Sequence, residues 1–73
     1  MNKIDNNFVL QIVNSNKDII LFNEYMTLLF NLKIKELELI KTILKELEKN
    51  NLILFVRYLQ FNDIINDIIK NKR

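Results

Sequence analysis

Neither glycine nor proline occurs anywhere in these 73 residues. The two strongest markers of turns and helix ends are therefore missing, and every boundary must be made by Asn, Ser or a change in the phase of the apolar pattern. Two places qualify. In "NSNKD" (residues 14–18) Ser15 can cap a helix, and Asp18, three positions on, imitates a capping box with a shorter acid. In "KNN" (residues 49–51) Asn tolerates the left-handed conformation that ends helices, and Asn51 can cap the helix that follows.

Between these marks the apolar residues recur at helical spacing. Over residues 17–31, Ile19, Leu21, Phe22, Tyr25, Met26, Leu28, Leu29 and Phe30 fill one arc, opposed by Asn23, Glu24, Thr27 and Asn31. Over residues 32–49, Leu32, Leu37, Leu39, Ile40, Ile43, Leu44 and Leu47 fill a second, opposed by Lys35, Glu38, Lys41, Thr42, Lys45 and Lys49. Both arcs point the same way in one frame, so the pattern predicts one helix over residues 17–49, roughly 50 Å long. The competing expectation is a bend near residues 31–35, where Lys33 and Glu36 intrude on the apolar arc and Ile20 and Ile34 lie on the wet side.

A last helix is expected over residues 52–70. Leu54, Tyr58, Phe61, Ile65 and Ile68 make a full-length stripe, the face to bury against the preceding helix in an antiparallel hairpin. Leu52, Phe55, Val56 and Leu59 make a second stripe on the opposite side, and it stops at Asn62. Residues 5–14 fit both strand alternation and a helical set. A lone strand has no pairing partner, so a short helix is expected, and it is the natural internal cover for the second stripe or for the front of the long helix. The fold class is all-α: one domain spanning residues 1–73, with a short N-terminal helix, a long amphipathic helix and a C-terminal helix forming a hairpin or small bundle.

Composition removes most chemistry. There is no Cys for a disulfide or thiolate site and no His, the commonest metal ligand and the usual base for a serine nucleophile. A phosphate-cradling loop needs glycine. The carboxylates Asp63 and Asp67 share a helix face, where a solvated surface explains them. No catalytic residue, cofactor or metal site is assigned, and the chain reads as a non-enzyme. The longest apolar run is five residues, far below the roughly 20 needed to span a bilayer. No signal peptide is visible, and an intracellular, cytoplasmic protein is expected, in the host cytoplasm if it is viral.

What remains is an apolar load of 49% carried without a single alanine, in a chain short enough that its own core gives limited stability. A helix of about 20 residues cannot cover one of about 33. Both facts point to association with another protein chain, either a second copy or a larger target. The expected interface is Leu52, Phe55, Val56, Arg57 and Leu59, with Arg57 standing inside the apolar stretch. The bias toward Asn, Lys and Ile suggests AT-rich coding DNA. Small helical proteins without motifs are common among phage and mobile-element inhibitors, anti-CRISPR proteins included. The expected function is thus a stoichiometric binder, inhibitor or adaptor, or a self-associating protein. A dimeric nucleic-acid-binding regulator ranks behind it. Net charge is only +2; the cations at Lys70, Lys72 and Arg73 are the candidate basic contact, and the ladder Lys41–Lys45–Lys49 is interleaved with glutamates as on an ordinary exposed helix.

Overall fold

Two extended residues decide the architecture. In the computed structural model, which describes residues 4–73, Leu32 (φ −79°, ψ 154°) and Lys33 (φ −74°, ψ 156°) leave the helical region and divide the expected long helix in two. The order is α1 (Asn6–Asn14), a 3-10 turn (Ser15–Lys17), α2 (Ile19–Asn31), α3 (Ile34–Lys49) and α4 (Phe55–Lys72). The chain is all-α, and no strand occurs among the described residues.

The break falls inside the window where the apolar pattern was disturbed, and local bonds hold it. The Asn31 side-chain amide donates to the Thr27 carbonyl at 3.0 Å, and the Glu36 carboxylate accepts from the Lys33 N–H at 2.9 Å. Sealing both ends lets the two arcs fold onto one core instead of running on. The longest extent of the molecule is 31 Å, shorter than a continuous helix of this length would be. The expectation of a single helix over residues 17–49 is corrected accordingly. So is the argument that an over-long helix demands a second chain, because α2 and α3 have 13 and 16 residues against 18 in α4.

The core draws on every helix. Val9, Ile12 and Val13 come from α1, Leu29 from α2, Leu37, Ile40, Ile43, Leu44 and Leu47 from α3, and Phe61, Ile65, Ile68 and Ile69 from α4, with Leu32 of the break buried beside them. Phe61 sits edge-on to Phe22 at 6.3 Å and ties α4 to α2. Phe8 meets Tyr25 edge-on at 6.4 Å, and the Tyr25 hydroxyl donates to Gln11 Oε1 at 3.1 Å, tying α1 to α2. α3 and α4 form the antiparallel hairpin. Residues 5–14 are helical as expected, and α1 packs on α3.

Three boundaries differ from the sequence reading. Asp18, not Ser15, caps α2: its Oδ1 accepts from the N–H groups of Ile20 (3.0 Å) and Leu21 (3.3 Å). Ser15 instead ends α1, buried, with its hydroxyl bonded back to the Ile12 carbonyl. At the other end, Asn51 takes φ 62° and closes α3 in a Schellman motif, with Leu52 N–H on the Leu47 carbonyl (2.8 Å) and Asn51 N–H on the Glu48 carbonyl (3.0 Å). That motif uses residues 50–52, so Asn51 does not cap the next helix. The connection runs over residues 50–54, and α4 begins at Phe55.

Some apolar positions in the expected arcs face outward. Ile19, Leu21 and Phe30 of α2 and Leu39 of α3 are exposed, and Leu29 is the one residue of α2 that is fully buried. No described helix is long and apolar enough to cross a membrane.

Candidate functional site

The late start of α4 shapes the most apolar part of the surface. Because the chain leaves the Schellman turn extended, Leu54 (φ −72°, ψ 147°) precedes the helix, and its side chain turns outward instead of heading the buried stripe. Leu54 is 68% exposed, so it leaves the core to which its spacing assigned it. It joins the second stripe, where Leu52 is 58% exposed, Phe55 59%, Val56 62% and Leu59 42%. At ordinary side-chain areas these five residues present roughly 500 Å² of apolar surface, in the upper range for the largest patch on a monomer.

The patch has internal order. Phe55 stacks on Tyr58 with ring centroids 6.1 Å apart and planes inclined by 27°. Arg57 is half-buried, and its Nη1 donates to Gln60 Oε1 at 3.1 Å, which holds the guanidinium along the helix. Beneath Leu52, Leu54 and Arg57, a groove of about 230 Å³ opens toward Val13, Asn16 and Lys17. The end of α1 therefore reaches the flank of the patch without covering it. Of the two covers expected of residues 5–14, the one for this stripe is corrected, because α1 packs its apolar face on α3 and meets the front half of the expected long helix at Tyr25 through Phe8 and Gln11. The stripe ends where Asn62, Asp63, Asn66 and Asp67 begin.

No side chain caps the first turn of α4 and no acid lies in it, so nothing on its own helix offsets the positive end of its dipole. Among the predicted interface residues, the structure brings Leu52, Phe55, Val56 and Leu59 together on the surface and sets Arg57 at their edge. Sequence reasoning missed Leu54, because spacing alone cannot tell a first helical turn from the extended residue that precedes it.

The predicted basic contact is placed elsewhere. Lys70 and Arg73 line the groove between α3 and α4, where Lys41 lies opposite them. Lys72 is exposed near the end of α4 and is not part of that lining. Among the described residues no three or more Asp or Glu gather as a metal site would require.

Comparison with protein-family models, with curated proteins and with solved structures finds no match for this chain, so the reading of the site rests on its own geometry.

Proposed function

We propose that this chain is a non-enzymatic protein-interaction module that docks another protein chain through Leu52, Leu54, Phe55, Val56 and Leu59. The observation that carries the reading is the division of α4. Its second half buries Phe61, Ile65, Ile68 and Ile69, while its first turns and the preceding loop hold five large apolar side chains in water. A folded core of this size has no need of them there. Their combined area is more than half of the roughly 800 Å² that one partner gives to a standard interface, and the polar residues around them can supply the rest as a rim. A chain of 8.8 kDa suits a stoichiometric binder, inhibitor or adaptor of a larger protein, or a self-associating subunit.

The test compares wild type with Phe55→Glu in two assays run together: sedimentation equilibrium for self-association, and affinity capture from the native host with quantification of each captured protein. The expected result is association in at least one assay, lost in the variant while circular dichroism stays helical. A wild-type chain that sediments as a monomer and captures nothing that the variant fails to capture refutes the reading.

A further inference from the structure

We infer that the groove between α3 and α4 binds the phosphodiester backbone of a nucleic acid. In sequence its cations belong to two unremarkable features 30 residues apart, a lysine ladder dressed with glutamates and a basic tail at a helix end. The antiparallel hairpin puts them on facing walls. Two adjoining depressions of about 380 Å³ each run along the groove; Lys41 and Lys45 line the first with Tyr58 at its end, and Lys41, Lys70 and Arg73 line the second. Four cations and the single acid Glu38 give this lining a net charge of +3, more than the +2 of the whole chain, so everything outside it sums to about −1. Such concentration on one face is the electrostatic footprint of a nucleic-acid contact, and total charge conceals it.

Glu38 shows what the groove holds. It sits where the two depressions meet, and cations from both helices converge on its two oxygens: Lys41 Nζ on Oε1 at 3.6 Å and Arg73 Nη2 on Oε2 at 3.8 Å. The same pair can grip an incoming phosphate oxygen in its place. The lining extends from Tyr58 to Arg73, about 22 Å along α4 at 1.5 Å per residue, and is open to solvent over its length. Those dimensions suit a linear polyanion that continues past both ends better than a small anion. The lining also argues against an acidic peptide. A docked amphipathic segment needs a row of apolar pockets for its anchors; the second depression offers Ile69 alone, whereas Thr42, Asn62 and Asn66 along the groove offer hydrogen-bonding groups of the kind that contact phosphate and sugar.

The experiment is fluorescence anisotropy of the full chain with a labelled 20-nucleotide single strand and the matching duplex at 50, 100 and 200 mM KCl. Four phosphate contacts predict a log–log salt slope near −3 and a roughly 50- to 150-fold loss of affinity over that range. Lys41→Gln with Lys45→Gln should reduce the slope by about 2, and so should Lys70→Gln with Arg73→Gln. Glu38→Gln should tighten binding several-fold, because it removes the competing carboxylate. Circular dichroism on each variant confirms that the fold is kept. The strand and duplex arms show which form is preferred. The inference is overturned by absence of binding to both at 50 mM KCl, by slopes unchanged in both double variants, by Glu38→Gln failing to tighten binding, or by polyglutamate competing as well as nucleic acid at equal charge.

Discussion

Phe61→Ala tests the core where all the packing arguments meet. Phe61 is 0% exposed and holds α4 against Phe22 of α2 at 6.3 Å. Truncating a buried Phe to Ala costs about 3–5 kcal/mol from lost transfer energy and the cavity left behind; an edge-to-face partner puts this site in the upper part of that range. A 73-residue domain has a total stability of roughly 4–11 kcal/mol, so the variant keeps between none and about two-thirds of it. The assay is urea denaturation followed by circular dichroism at 222 nm. With a slope near 1 kcal/mol per molar for so small a chain, the midpoint should fall by about 3–5 M or the folded baseline should vanish. Leu54→Ala is the matched control. Spacing alone placed Leu54 in the same stripe, yet it is exposed, and its removal should shift stability by no more than about 0.5 kcal/mol. A Phe61→Ala midpoint within 1 M of wild type, or a Leu54→Ala loss as large as that of Phe61→Ala, refutes the assignment of the buried face.

Phe55→Glu should leave the melting temperature within a few degrees of wild type. The side chain is exposed, and a carboxylate at the first position of an uncapped helix favours the dipole by about 0.3–1 kcal/mol, offsetting the lost stack on Tyr58. A collapse of helicity in this variant would show that the patch is core. Asn51→Ala should cost about 1 kcal/mol, because the alanine must hold φ 62°, while Asn51→Gly should be neutral or stabilising. Equal melting of the two variants would mean that the left-handed turn does not close α3 in solution.

The helices and the hairpin were legible because their signal is periodic and local. α3 follows its spacing closely: Leu37, Ile40, Ile43, Leu44 and Leu47 are all buried. The division between α2 and α3 was visible as a disturbance at Lys33 and Glu36 but not as a break. In sequence Glu36 is only a polar intrusion on the apolar arc; in the structure it accepts from the backbone N–H of Lys33 and starts a new helix. Ser15 and Asp18 were both seen, and their roles depend on which residue is already inside α1, a difference of three positions that spacing does not resolve. Leu54 failed for the same reason at α4. For α2 the wheel was misleading, since eight apolar residues in one arc implied a buried face and the bundle closed over only part of it. The basic groove was out of reach of pattern reading, because its walls come from residues that only the hairpin brings face to face.

The thin anchoring of α2 has a consequence for how the molecule breathes. With Leu29 alone fully buried, and with its edges held by the aromatic contacts of Tyr25 to Phe8 and of Phe22 to Phe61, this helix loses less apolar contact on lifting away than α3 or α4 would. Opening free energies follow such contact, so α2 occupies a low rung of the stability ladder and its amides exchange with solvent ahead of global unfolding. Extended backbone at Asp18 and at the pair Leu32–Lys33 gives that excursion a hinge at each end, and α3 with α4 keeps its hairpin while α2 is away.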